Sequence, residues 1–189
     1  MIANRFTVIL DANVLFGGLH RNIALSLAEG GFYRPRWSTK ILEELERNLE
    51  SRLGDHRTAK LQRERIEHAF PEGEVEISAE AEARLTLPDD GDNHVLAAAI
   101  KARAAQIVTD NLRDFPSELL EPYEIEAISA DHFFSNTISL SETAAVYRLR
   151  LMRRRFQDPA YSPEALLLRC EQVGLPETAS ILNEYTEFL

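Results

Sequence analysis

Three aspartates stand where residue type and chain position together suggest chemistry. Asp11 directly follows the run Phe6-Thr7-Val8-Ile9-Leu10, and Asp110 directly follows Ile107-Val108-Thr109. Asp92 closes the turn Pro88-Asp89-Asp90-Gly91-Asp92, ahead of the helically spaced Val95, Leu96, Ala98, Ala99 and Ile100. Apolar, β-branched runs of this kind suit strands buried on both faces of a parallel sheet. In such sheets ligands gather beyond the carboxyl ends of the strands. Topology alone therefore brings Asp11, Asp92 and Asp110 toward one edge. Gathered carboxylates repel unless a cation compensates them. An all-oxygen set suits Mg2+ or Mn2+, and no cysteine–histidine cluster suggests zinc. Each acid also has a plain structural role open to it: an Asp after a strand forms turns, and Asp92 is placed to cap the helix that follows. Their joint arrangement favours the chemical reading.

The elements that must position these acids can be read from periodicity. A strand is expected over residues 5–10. After Gly17-Gly18, a helix through Ile23, Leu25, Leu27 and Ala28 ends at Gly30-Gly31. Ser38 or Thr39 can cap a helix through Ile41, Leu42, Leu45 and Leu49, and a charged amphipathic stretch over about 55–70 stops at Pro71. Val75-Glu76-Ile77 is a candidate short extended piece, and Ile125-Glu126-Ala127-Ile128 a further strand. Strands alternating with helices imply an α/β domain with a mainly parallel sheet. Beyond about residue 136 the pattern is wholly helical, over about 141–156, 163–172 and 176–188. The expected division is a domain over 1–135 and a helical extension over 136–189.

Composition limits the possibilities. At 189 residues, 44% hydrophobic and 28% charged, the chain suits one ordinary domain with a small appendage. The lone Cys170 allows no internal disulfide and is expected to be a small apolar filler. No signal peptide and no membrane-length apolar run are visible, so a cytoplasmic location is expected. Net charge is −10, which taken alone opposes binding to a polyanion. Residues 1–135 carry 15 basic and 24 acidic side chains, so the acidity sits with the aspartates and could in part await cations.

Four blocks, in order, resemble the PIN-domain nucleases, in particular VapC-type toxins of toxin–antitoxin pairs. They are Val8-Ile9-Leu10-Asp11-Ala12-Asn13-Val14-Leu15, Ser38-Thr39-Lys40-Ile41-Leu42-Glu43-Glu44-Leu45, Asp89-Asp90-Gly91-Asp92-Asn93-His94-Val95-Leu96-Ala97-Ala98-Ala99, and Ile107-Val108-Thr109-Asp110-Asn111-Leu112-Arg113-Asp114-Phe115-Pro116. The resemblance implies a PIN-like three-layer fold, a mainly parallel sheet flanked by helices, and leaves the helical appendage outside the basic pattern. It adds Glu44, with Glu43 its rival, because the family's second acid precedes a leucine. It implies a catalytic set of Asp11, Glu44, Asp92, Asp110 and Asp114, with Asp110, Asn111 and Asp114 each open as the group facing the metal in the last block. Asp11, Asp92 and Asp110 are the first choice of metal ligands, supported by Asn13, Thr109 and Asn111.

By that resemblance the chain is a metal-dependent endoribonuclease using Mg2+ or Mn2+, the toxin of a type II pair, with an RNA substrate, a cognate antitoxin and a homodimer as expected partners. A non-catalytic PIN scaffold that binds RNA or a partner protein is the alternative. An aspartyl phosphatase is disfavoured because Asn13 stands where that chemistry wants an acid, and an arch-bearing DNA nuclease because the chain has no room for the insertion. For RNA contact the densest basic patch is Arg148, Arg150, Arg153, Arg154 and Arg155, with Arg21, Arg34, Arg36 and Arg113 scattered nearer the blocks and Tyr33 and Trp37 as candidate base-stackers. The competing reading has the tail arginines paired with the acidic body. His94 is expected to point away from the site.

Overall fold

The computed structural model describes residues 6–189; position 5 of the first expected strand lies outside them. The described elements run in the order β1 (Thr7–Leu10), α1 (Ala12–Phe16), α2 (Gly18–Glu29), β2 (Arg34–Ser38), α3 (Thr39–Leu53), α4 (His56–Ala69) and β3 (Glu74–Val75). There follow α5 (Ala79–Glu82), α6 (Asn93–Ala102), β4 (Gln106–Val108), α7 (Ser117–Leu120) and β5 (Glu126–Ile128). Four more helices complete the chain: α8 (Ala130–Ser139), α9 (Glu142–Arg155), α10 (Pro163–Gln172) and α11 (Pro176–Asn183). The strands form one sheet in the order β3-β2-β1-β4-β5, and every pairing is parallel.

The expected α/β fold with its helical extension is therefore present. Val8, Ile9 and Leu10 point alternately to opposite faces, yet each is wholly buried, so helices cover both sides of the sheet. On one side, α6 runs across β1, β2, β3 and β4. Elsewhere Phe133 of α8 packs edge-on against Tyr33 with ring centroids 4.9 Å apart. Local chemistry fixes the helix ends. Ser38 accepts a hydrogen bond from Ile41 N at 3.3 Å, and Gly54 stops α3 in the left-handed region at φ 66°. Asp55 and Ser162 cap α4 and α10 through Arg57 N and Ala165 N.

Strand β2 was not expected from the sequence, because Arg34-Pro35-Arg36-Trp37-Ser38 lacks an apolar run. Its period-2 pattern is nonetheless real: Pro35 and Trp37 are buried, while Arg34 and Arg36 face outward or sit half-buried. Tyr33 and Trp37 are core residues and not base-stackers; the Tyr33 hydroxyl donates to Ala24 O at 2.7 Å, and Trp37 meets Phe70 edge-on at 6.0 Å. The last expected helix, 176–188, is broken into α11 and a separate short turn at Thr186–Phe188. Cys170 is buried, as a filler should be.

Helix α8 spans position 135 and joins the extension to the body. Asp131 on α8 accepts from Glu177 N at 2.9 Å and from Thr178 N at 2.8 Å, capping α11 from another helix. His132 Nδ1 lies 3.0 Å from Glu177 Oε2 beside that cap.

Gly73 offers a test of the packing around β2. A Cβ there would drive into the Trp37 ring and lie 2.9 Å from Phe70 O. Gly73→Ala is expected to destabilise the protein by about 1–3 kcal/mol, lowering Tm by roughly 3–10 °C on a circular dichroism melt. An unchanged melt would show that the β2–β3 corner yields freely.

Candidate active site

The register of β1 on β4 pairs Leu10 with Val108, so Asp11 and Thr109 leave the two central strands side by side. Asp11 N donates to Val108 O at 3.1 Å, and the Asp11 side chain is almost fully buried. Its carboxylate is held from three directions. Oδ1 accepts from Ala12 N at 2.6 Å, and Oδ2 accepts from Asn13 Nδ2 and from the Thr109 hydroxyl, both at 2.7 Å. Thr109 Oγ1 also accepts from Asn111 N at 3.1 Å, and Asn13 Oδ1 accepts from Asp110 N at 3.2 Å. Asn13, Thr109 and Asn111 thus form one network around the first acid.

Asp92 lies at the amino end of α6, which approaches the same edge because it runs antiparallel to the strands. The expectation that Asp92 caps this helix is overturned. The capping in this turn is done by Asp89, which accepts from Gly91 N at 2.8 Å, and Asp92 makes no side-chain cap bond. Asp92 Oδ2 is buried and has no hydrogen-bond partner. Among the described residues, Asp89, Asp92 and Asp114 each offer a carboxylate oxygen, and all three oxygens lie within 4.8 Å of one another. Asp89 is not among the candidates the sequence singles out, since a turn residue beside Asp92 carries no distinguishing mark in sequence.

Glu44 is half-buried on α3 while Glu43 is exposed, because the two differ by 100° of helical turn. His94 turns toward this region, contrary to expectation. Its ring is buried between Ser38 Oγ, 3.3 Å from Nδ1, and Glu44 Oε2, 3.9 Å from Nε2.

The last acidic block divides. Asp114 accepts from the Asn111 side-chain amide and joins the Asp89–Asp92 group. Asp110 faces away from that group. Its Oδ1 accepts from Ala130 N at 3.0 Å, at the start of α8, and its Oδ2 lies 4.0 Å from His20 Nε2.

Electrostatics shows the strain of this assembly. Burial, outweighing the Thr109 and Ala12 hydrogen bonds, pushes Asp11 up to about 6, with the Glu44 and Asp110 charges adding to it. Asp92 is also pushed up to about 6, by burial first and then by Asp11, Asp89 and Asp114. Glu44 is raised by burial and by Asp92. Three carboxylates whose charged forms burial and neighbouring acids disfavour, one of them with a buried oxygen lacking any donor, fit a hard divalent cation.

The tail arginines divide between the extension and the body. Arg153 donates to Tyr161 O and to Leu189 O, Arg155 pairs with Glu29 at 3.0 Å, and Arg148 and Arg150 are half-buried, leaving Arg154 exposed and out of any ion pair among the described residues.

With this geometry in view, the matches to known proteins take on meaning. A PIN domain family model matches residues 7–113, more than half the chain. The chain belongs to the PIN-domain family. A model of the VapC50 C-terminal domain matches residues 130–184, the helical part of this PIN protein. The chain is also 42% identical over 76 residues to a Mycobacterium tuberculosis (strain ATCC 25618 / H37Rv) protein named "Putative ribonuclease VapC50"; the alignment covers 40% of this chain and 45% of that relative. No solved structure matches it. Among the described residues, no helix is long and apolar enough to cross a membrane.

The raised carboxylates set a pH dependence for the metal-free protein. Asp11 and Asp92 bind protons up to about pH 6 when folded and only to their ordinary 3.8 when unfolded. The folded state then holds more protons between those values, so stability falls as pH rises from 3.8 through about 6. Asp92→Asn removes charge without removing a hydrogen bond. It is expected to raise the metal-free Tm at pH 7 by about 2–4 °C, equivalent to roughly 1 kcal/mol after allowance for solvent screening at this half-open site. Scanning calorimetry in EDTA checks this; a lower Tm would mean that the Asp92 charge is compensated.

Proposed function

We propose that this chain is a metal-dependent endoribonuclease and the toxin of a type II toxin–antitoxin pair. The observation that carries the reading is the buried, partnerless Asp92 Oδ2 within a group of carboxylates at the carboxyl edge of a parallel sheet. Residues 1–135 form the nuclease domain in this reading and 136–189 the extension, with α8 shared across the join. RNA is the substrate, a cognate antitoxin and a second copy of the chain are the partners, and the protein works in the cytoplasm.

The chain's own contribution is to place charge. Asp11, Asp92 and Asp114 would hold Mg2+ or Mn2+, with Glu44 and Asp89 at the rim. The bound cation supplies charge relief at the phosphate and a water of lowered pKa. Asn13 and Thr109 fix Asp11 Oδ2, so that this oxygen does not swing toward solvent. Asn111 holds Asp114 in the same way. Burial keeps the acids in a region where their charges act strongly on a phosphodiester and its leaving oxygen. His94 Nε2 faces Glu44 and limits where that carboxylate can go. Asp110 acts as a positioning residue, tying the start of α8 to the sheet edge.

The test is cleavage of RNA by wild type and single-site variants, read by sequencing the new RNA ends, together with Mn2+ titration followed by Tm. Asp92→Asn and Asp114→Asn are expected to lower cleavage by about 100-fold or more and to abolish the Mn2+-dependent rise in Tm. Asn13→Ala is expected to lose about 10–100-fold through misorientation of Asp11. Asp110→Asn keeps an oxygen for Ala130 N and should lose less than Asp114→Asn. Identical RNA ends from wild type and Asp92→Asn, or none from either, would remove the catalytic assignment and leave a PIN scaffold that binds without cutting.

A further inference from the structure

Beside the acidic edge lies a cleft of about 310 Å³ with the opposite charge character. It is lined by His20 and Asn22 of α2, Arg52 of α3, Phe156 and Tyr161 of the α9–α10 connection, and Arg169 of α10. The nuclease body and the helical extension thus each build part of its wall. Like most of the basic side chains, Arg52 and Arg169 take part in no ion pair among the described residues, and the only acceptor Arg169 has there is Gln172 Oε1, at 3.3 Å. Arg52 stands over the Phe16 ring, 5.2 Å from its centroid, which leaves its guanidinium edge free to donate. Arg21 is nearby and uses one nitrogen to hold Leu15 O at 2.7 Å. Burial and then the adjacent Arg52 charge push Arg21 below its ordinary range, so cations here crowd one another.

Two further features shape the cleft. The Gly17-Gly18 turn forms part of the lining, and a Cβ on Gly17 would lie 2.8 Å from His20 Nδ1. Glycine therefore lets the imidazole lie close against the backbone, with Nε2 directed to Asp110 at 4.0 Å. That contact joins the cleft to the edge where Asp11 and Thr109 emerge. On the other wall, Phe156 and Tyr161 meet at 5.1 Å between ring centroids and 66° between planes, and both are half-exposed. Guanidinia without carboxylate partners, beside an aromatic pair, recognise a phosphate and the base attached to it.

We propose that this cleft binds a phosphodiester of single-stranded RNA next to the bond that is cut, with Arg52 and Arg169 on the phosphate and Tyr161 and Phe156 against the neighbouring base. This rests on the ribonuclease reading above and gives the helical extension a substrate-binding role. Backbone amides at the start of α2, where Gly17 has no side chain to cap them, add to the positive potential of the same wall.

The experiment measures binding of a fluorescently labelled, mixed-sequence single-stranded RNA to full-length Asp92→Asn protein by anisotropy, over a range of KCl concentrations. Adding Arg52→Ala and Arg169→Ala is expected to weaken binding by about 10-fold or more and to reduce the slope of log K against log salt by about 1.4, the value for two lost phosphate contacts on a single strand. In the otherwise wild-type protein the same pair should raise KM for RNA cleavage with little change in kcat. Tyr161→Ala should weaken binding without altering the salt slope. Arg103→Gln, exposed at the opposite edge of the sheet, serves as the control and should change nothing. Both arginines are exposed, and an unchanged Tm verifies that their variants fold. If the double arginine variant binds with the wild-type affinity and slope while RNA cleavage by wild type persists, the cleft proposal falls and the ribonuclease reading stands. If wild type neither binds nor cuts RNA, both fall.

Discussion

Burying Asp11 at the end of the central strand is the constraint on which the rest of the structure turns. A carboxylate taken out of water needs donors, and this one has three, from Ala12 N, Asn13 and Thr109. Two of these donors come from the turn that β1 enters and the third from the neighbouring strand, so the acid locks the β1–β4 register at the edge. The donors do not fully compensate the burial, since the group still titrates near 6. Its residual field then acts on every other acid that the fold delivers to the same place. Asp92, with an oxygen facing no donor, feels it most directly. The protein holds this edge in tension because the packing elsewhere is extensive: both faces of β1 are sealed, and α6 spans four strands. Mutual repulsion of this kind among carboxylates is what a bound cation would relieve.

The same edge anchors the extension. Asp110 emerges one residue after Thr109 and bonds Ala130 N, while Asp131, one residue further on, caps α11. Two adjacent aspartate–backbone clamps therefore run from the carboxylate edge to the terminal helices. This explains why Asp110, next to Asp11 by topology, does not join the carboxylate group: its oxygens are committed to structure. The extension also presses back on the body, where Arg155 pairs with Glu29 and Arg148 lies against Gly30 at the end of α2.

How much of this was legible in the sequence depended on how local the signal was. Asp11 and Asp110 were readable because each follows a β-branched strand directly, and β1, α3, α4, α6 and α10 were readable because their apolar periodicity agrees with the tertiary outcome. β2 was not, since Pro35 and two arginines hide a strand whose burial alternates. The free state of Asp92 was also hidden: an Asp before a helix reads as its cap, and only the structure shows Asp89 taking that task. Glu44 could be chosen over Glu43 and Glu46 by resemblance alone, because helical phase relative to the sheet is a tertiary property. Between Asp110 and Asp114 nothing local could decide. The contribution of α8 to the join was equally out of reach, as the change in composition falls inside that helix.

Net charge at first argues against any polyanionic ligand, yet it is a poor guide at this scale. At physiological ionic strength fields decay over about 8 Å, so a phosphate responds to the groups beside it more than to the total. What matters is how cations are allotted. Arg63, Arg153 and Arg155 are occupied by Glu46 and Glu67, by the carbonyls of Tyr161 and Leu189, and by Glu29. Arg52 and Arg169 are among the many basic side chains without an ion pair among the described residues, and they line one cleft although they lie far apart in the chain. With two guanidinia lining a cleft that holds no carboxylate, next to a crowded carboxylate edge, the protein separates its charges along one surface. His20, between Asp110 and the cleft, marks the boundary between the two.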